Sequence, residues 1–423
     1  MTSATATALG GADVEDRELD SFDLTDPMTY QTTDVHAMWR RFRTERPVHR
    51  HPATAAGPEF WVLSKYDDIM KLYKDDGNFT SERGNVLVTL LHGSDSAAGK
   101  MLAVTDGPRH AAIRKLMLKS FSPRSLQHIS EQVVQRTRTL LKDAVERGEA
   151  DFARDVAEHI PIATICDLLG VPEADRGFLL GLNKQALSSS MADTSAEDSW
   201  LARNEILLYF GELAEERRRN PVDDVISVLA TGRIDGEPLG EDEIVLNCYS
   251  LILGGDETSR LSMIGGVQAL MRHPEQWNAL KQGEATVESA VEEVVRWTTP
   301  GMHFGRRALR DVEVAGQRIA AGDIVTLWNT SANRDEDIFD APETFDLART
   351  PNKHVSFGYG PHFCLGAFLG RVEINAMLGA VRTVVDRIEP NGPVEPVFSN
   401  FLSGLESLPV RFEADREGLA RWS

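Results

Sequence analysis

The chain has 423 residues, 42% hydrophobic and 26% charged, with a formal net charge of −20. This is the composition of a water-soluble globular protein long enough to enclose a sizeable core, and its acidic excess disfavours nucleic acid and anionic membrane surfaces as partners. Its three cysteines, Cys166, Cys248 and Cys364, lie far apart, which excludes a Cys-x-x-Cys metal or redox site and a complete set of disulfides.

Residues 1–20 are small, polar and acidic. They lack the apolar run of a signal peptide or membrane anchor, and are expected to form a disordered tail on a cytoplasmic protein. No repeat or long low-complexity linker divides 21–423, so a single domain is expected there. Strand-like runs occur at Phe60-Trp-Val-Leu-Ser, Val312-Glu-Val-Ala and Asp323-Ile-Val-Thr-Leu-Trp, and predict a smaller β-rich lobe from about 21–106 and 306–330. Helical patterning dominates from about 108 to 298, so the fold class is mainly α. Thr105-Asp106-Gly107-Pro108 reads as a helix start, and Glu241-Asp242-Glu243 supplies negative charge to the first turn of another helix. Cys166 and Cys248 sit in apolar helical runs and read as packing residues. Residues 329–363, rich in Pro, Asn and Asp, read as a long loop of the kind that serves a function. Residues 394–413 read as a hairpin turning at Ser403-Gly404.

Two segments carry chemistry. Ile244 to Arg260 is too long and too apolar for a surface helix and reads as one buried through the centre. Gly254-Gly255 inside it costs about 1 kcal/mol per glycine relative to alanine, and Asp256, Glu257 and Thr258 follow directly. Either the glycines end one helix and the acids start another, or the helix is distorted to open space beside a hydroxyl and a carboxylate. The second segment is Phe357-Gly-Tyr-Gly-Pro-His-Phe-Cys364-Leu-Gly366, followed by a helical stretch from Ala367. A thiolate at a helix start is stabilised by backbone N–H groups and the helix dipole. Glycines 358, 360 and 366 permit sharp turns and close approach to a flat group. Cys364 is then either a buried structural cysteine or the axial ligand of a haem iron. Between Gly107 and Ser130 there is no acidic residue, while Arg109, Arg114, Lys115, Lys119 and Arg124 all occur. That stretch either serves a bound anion or receives an acidic protein.

The second segment resembles the cytochrome P450 family through Phe357, Gly360, Cys364 and Gly366, with His362 two residues before the cysteine. The resemblance extends over nearly the whole chain after residue 21. Gly254, Gly255, Glu257 and Thr258 match the family's Ala/Gly-Gly-x-Asp/Glu-Thr motif, although Ser259 replaces a frequent threonine. Glu293-Val-Val-Arg296 matches Glu-x-x-Arg, with Arg349 as its expected third member. His110 and Arg114 match His-x-x-x-Arg.

The resemblance implies the mainly helical cytochrome P450 fold and haem b with the Cys364 thiolate as axial ligand. His110, Arg114, Arg306 and His362 would face the haem propionates, and Phe357 and Gly255 would touch the cofactor. It implies a monooxygenase that inserts one oxygen atom of O2 into an organic substrate. Electrons would come from a ferredoxin-type donor with its NAD(P)H reductase. Thr258 would make the last hydrogen bond in proton delivery, fed by Glu257 with help from Asp256. The substrate pocket would be lined by Val86, Leu87, Leu90, Gly254, Met302, Phe304 and Leu402, with the Leu182–Ser190 region nearby. A soluble bacterial member of this kind is expected to tailor a secondary metabolite, either a small molecule or one held on a carrier protein. The alternatives are a peroxide-driven peroxygenase, against which the Glu257–Thr258 pair argues, and a non-catalytic haem-binding protein.

Overall fold

Strands from distant parts of the chain meet in one sheet, and helices from the middle and the end form the larger body beside it. The computed structural model describes residue 14 and residues 18–121, 123–187 and 196–422. In the smaller lobe, β1 (Val48–His51), β2 (Phe60–Leu63), β3 (Phe79–Thr80), β4 (His303–Ala308) and β5 (Ile324–Trp328) form a sheet of order β1-β2-β5-β4-β3. β5 runs parallel to β2 and antiparallel to β4. Every residue of β5 is buried, which explains its continuous apolar run. Val312–Val314 pairs instead with Gln317–Ile319 in a ribbon of its own.

Trp328, at the end of β5, lies 4.6 Å from Trp39 between ring centroids and anchors an apolar cluster with Phe22, Phe42 and Phe60. Val14 and Leu19, each 2% exposed, belong to the same cluster. Packed chain therefore begins before residue 21, inside the expected tail; two apolar residues in an acidic stretch show no periodicity and are revealed only by the pocket they fill. Residues 1–13 and 15–17 of that tail lie outside the described residues.

The helices that position the site are α1 (Gly107–Met117), α2 (Pro123–Arg147), α3 (His159–Leu169), α4 (Glu173–Leu187), α5 (Ala196–Arg219), α6 (Glu241–Gly255), α7 (Glu257–Arg272), α8 (Val287–Thr298) and α9 (Ala367–Val384). Gly240 precedes α6 as its N-cap, and its N–H donates to the Glu243 carboxylate at 3.0 Å, the half of a capping box that an acid in the first turn supplies. Cys166 and Cys248 are fully buried among apolar neighbours. Among the described residues no helix is long and apolar enough to cross a membrane.

The long loop after β5 begins with one short helix, Asn329–Ala332, and is tied to α8 by a buried ion cluster. Glu293 accepts from Arg296 Nε and Nη2 at 2.8 Å, Arg349 Nε at 3.2 Å, Asn352 Nδ2 at 3.0 Å and the Asp346 N–H at 2.9 Å. Arg296 Nη1 donates to the Asn333 and Pro342 carbonyls at 2.9 Å. This cluster fixes the chain path that leads to Cys364. The expected C-terminal hairpin is split: Glu395–Pro396 pairs with Leu405–Ser407, while Pro409–Ala414 crosses to Val385–Pro390.

Candidate active site

The central helix is broken where two readings were open, and the structure combines them. α6 ends at Gly255 and α7 starts at Glu257. Asp256 still bonds back to Ile252 and Arg260 back to Asp256, both at 3.2 Å. The helix is interrupted at Asp256 itself. The Gly254 carbonyl accepts from the Thr258 hydroxyl at 3.1 Å. Gly254 is exposed although it sits mid-molecule, and a Cβ there would meet nothing within 4 Å. Gly254 and Thr258, four apart, share this open face.

Neighbouring residues face elsewhere. A Cβ on Gly255 would lie 2.3 Å from Ile165 Cδ1, so Gly255 is required for packing against α3. Asp256 is buried against α4, where Oδ2 accepts from Asn183 Nδ2 at 2.6 Å. Burial and the adjacent Glu257 charge push its carboxyl up to about 7. Glu257 is held by Arg260 at 2.5 Å, and Arg260 reaches Glu406 at 3.3 Å. Below them, buried Glu373 of α9 bonds to Ser259 and Thr164, and burial pushes it to about 7.

The cysteine loop crosses in front of α9. Gly358 and Gly360 have φ of 66° and 70°, and a Cβ on Gly360 would meet the Tyr73 carbonyl at 2.4 Å. Glycine is needed there on both counts. Gly366, in contrast, has an ordinary φ of −85°; a Cβ on it would find only open space. The Cys364 N–H donates to the Phe357 carbonyl at 2.9 Å, and its thiol receives the Gly366 N–H. Burial pushes the thiol up, opposed by that N–H and by the charges of Arg114 and Arg371. A bound metal cation would reverse the balance and hold it as thiolate.

α1 lies beside the loop, and a cleft of about 390 Å³ between them is lined by His110, Arg114, Lys115, Leu118, Gly360 and Pro361. His110 Nε2 is buried with no partner, and burial, then repulsion from His362 and Arg114, pulls its pKa down to about 4. Arg306 of β4 is 6% exposed and without a carboxylate partner among the described residues; its Nη1 donates to the Gly305 carbonyl at 2.7 Å. The His362 Nε2 is paired with Asp106 at 2.9 Å. Asp106 does not cap α1, as its position in sequence suggested. It accepts from the Thr80 hydroxyl at 2.6 Å and the Ser81 N–H at 2.7 Å. Burial pushes Asp106 up, but these bonds and His362 outweigh it and hold the carboxyl below the usual carboxylate range.

Of the expected pocket residues, Val86, Phe304 and Leu402 are partly exposed, whereas Leu87, Leu90 and Met302 are buried in the cluster around Trp328. Leu90 and Leu87 are spent on packing the sheet lobe; a Cβ on Gly305 would lie 2.3 Å from Leu90 Cδ1. Residues 188–190, at the end of another expected lining stretch, lie outside the described residues. Sequence reasoning missed Asp106, Asn183, Glu292 and Glu373, because no spacing rule marks which partner a buried acid or amide will find. The residues present fit a haem: a part-exposed thiol, an orphaned imidazole nitrogen, a buried arginine without a carboxylate, and an open helix face at Gly254.

A cytochrome P450 family model matches residues 285–382, the stretch that carries Glu293, Arg296, Arg306 and Cys364. Cytochrome P450 NovI of Streptomyces niveus is 47% identical over 398 residues, covering 94% of this chain and 98% of that protein. The chain belongs to the cytochrome P450 family. It is a monooxygenase whose cofactor is haem b ligated by a cysteine thiolate. This P450 is also 32% identical to a steroid C26-monooxygenase of Mycobacterium tuberculosis over 402 residues, 92% of each chain. The crystal structure of P450 OxyD, which is involved in the biosynthesis of vancomycin-type antibiotics, superposes with a TM-score of 0.83 at 32% identity. That match covers 93% of this chain and 100% of OxyD. Members of the family use O2 and electrons from redox partners.

Proposed function

We propose that Cys364 is the thiolate ligand and that this P450 oxidises a bacterial secondary metabolite, free or tethered to a carrier protein. The observation that carries the assignment is the position of Cys364 in its glycine loop, together with a His110 Nε2 that has no partner and an Arg306 that has no carboxylate partner among the described residues. The other two cysteines are fully buried, and burial pushes Cys166 to about 12 and Cys248 higher still. Bound haem supplies the iron at which O2 is activated, and thiolate donation favours O–O cleavage.

The chain's own groups then handle protons and electrons. The Thr258 hydroxyl lies on the open face of the kink and can exchange its bond to Gly254 for one to a water, passing a proton as it does so. The Glu257–Arg260–Glu406 chain leads outward, since Glu406 is 28% exposed. His110, Arg114 and Arg306 supply donors for the two propionates, which must be matched when buried. Electrons come from an acidic ferredoxin-type donor served by an NAD(P)H reductase. Lys115 and Lys119 are exposed and make no ion pair among the described residues, so they can meet such a donor. Arg109 is withdrawn from that surface by its pairing with Glu243.

The biosynthetic reading follows the OxyD likeness and the higher identity to NovI than to the steroid enzymes. The test is a spectral titration of the ferric protein with carrier-bound amino acids, polyketides and steroids. Displacement of the iron-bound water by carrier-bound or natural-product compounds supports the reading; a response to steroids alone overturns it. Cys364→Ser should abolish the red-shifted Soret band of the reduced carbon-monoxide complex, and Cys166→Ala and Cys248→Ala should keep it.

A further inference from the structure

Behind the Phe357 ring lies a charge pair that none of the roles above uses. Arg371, in the second turn of α9, stacks its guanidinium 4.4 Å from the ring centroid of Phe357. Glu292 of α8 grips that guanidinium with both oxygens, at 2.6 Å to Nε and 3.0 Å to Nη2. Glu292 is fixed in turn by His354 Nε2 at 3.0 Å. The Phe357 carbonyl accepts from the Cys364 N–H at 2.9 Å. One residue thus separates a rigidly held cation from the sulfur, and a single carboxylate fixes where that cation sits.

We infer that Arg371, positioned by Glu292, is a tuning residue that sets the reduction potential of the thiolate-bound haem. The inference rests on the reading of Cys364 as the ligand. Reduction adds an electron to the iron–thiolate unit, and a nearby cation stabilises that electron while a nearby anion opposes it. Two features make the charge count. The bidentate geometry keeps the guanidinium from swinging into solvent, and the pair is only about a third exposed, 36% for Arg371 and 31% for Glu292, so screening by water is incomplete. Arg371 adds to the field already pulling the Cys364 thiol towards its anion.

The two members of the pair should act with opposite sign, which a packing role would not produce. The experiment is spectroelectrochemical titration of the substrate-free holoprotein without any redox partner. Arg371→Gln leaves Glu292 uncompensated and should lower the ferrous-to-ferric ratio at fixed poise by about three- to tenfold, about 30–60 mV for a one-electron couple. Glu292→Gln leaves the cation uncompensated and should raise the ratio by a similar factor. The double variant should return to within about twofold of wild type, as should Arg371→Lys, which keeps the charge but loses the stack. Shifts of the same sign in both single variants, no shift in either, or a Lys variant as displaced as the Gln variant would overturn the inference. The reduced carbon-monoxide spectrum of wild type and of Cys364→Ser tests the ligand assignment separately.

Discussion

Replacing Glu293 with alanine is the most severe single change the structure identifies outside the haem contacts. Both oxygens are fully buried, and between them they accept five donors: two from Arg296, and one each from Arg349, Asn352 and the Asp346 N–H. Arg296 keeps its bonds to the Asn333 and Pro342 carbonyls, but these cannot neutralise a guanidinium. Two buried cations would remain around one cavity, with Arg349 only 9% exposed in its side chain. Removing one partner of a buried pair costs about 3–5 kcal/mol, a loss of about two to three and a half powers of ten in the folded-to-unfolded ratio. The loop from Asn333 to Asn352 hangs on this carboxylate, so haem content should fall together with stability. Urea unfolding followed by tryptophan fluorescence measures the cost, and the Soret-to-protein absorbance ratio measures the haem. As an internal control, Glu45→Gln breaks the exposed i,i+4 pair with Arg41 and should cost about 0.3–0.5 kcal/mol. A Glu293→Ala protein within about 1 kcal/mol of wild type, with full haem content, would refute the view that this cluster sets the path to Cys364.

Thr258→Ala should bind substrate and accept electrons but lose proton steering, so less product should form per NAD(P)H consumed in a reconstituted system; an unchanged ratio would remove the hydroxyl from proton delivery. Lys115→Glu and Lys119→Glu should each slow reduction by ferredoxin at low salt and leave haem content intact, with the difference fading as the Debye length shortens from about 10 Å at 0.1 M salt; rates equal to wild type at low salt would move the docking face elsewhere. For Asp256, burial raises the native carboxyl to about 7, so native protein keeps a proton that unfolded chain releases near pH 4. Stability from this group is therefore full below about pH 4 and is lost as pH rises through 7, by at most about 4 kcal/mol. Asp256→Asn should remove that slope, and its urea midpoint should gain on wild type between pH 5 and pH 8; an unchanged difference would show that the acid is ionised in the native state.

Much of the site was legible because family motifs are local in sequence. Cys364 and its glycines, the Gly254–Thr258 run and the Glu293–Arg296 pair each occupy a few consecutive residues, and each does in space what short-range chain geometry dictates. The two readings of the central helix could not be separated in this way. Gly-Gly before two acids is equally a helix end and a distortion, and the sequence shows neither the α3 packing against Gly255 nor the α4 contact with Asp256 at the interruption. The pocket was less legible still. Leu87, Leu90 and Met302 have the apolar character of a lining, but burial in the Trp328 cluster uses the same property for packing.

The sequence by itself determined the class of chemistry, since one cysteine between glycines at a helix start, an acid–alcohol pair after Gly-Gly, and the mainly helical pattern are all short-range features. Tertiary structure alone decided which partner each of these charges took. Asp106 left the helix start it precedes and met His362, Arg109 went to Glu243, Glu292 rather than Glu293 reached Arg371, and Glu257 reached Glu406 through Arg260. The physical reason is that a buried charge must be satisfied by whatever lies within about 3 Å once the chain is folded. That neighbour comes from residues tens or hundreds of positions away, at distances no sequence spacing encodes.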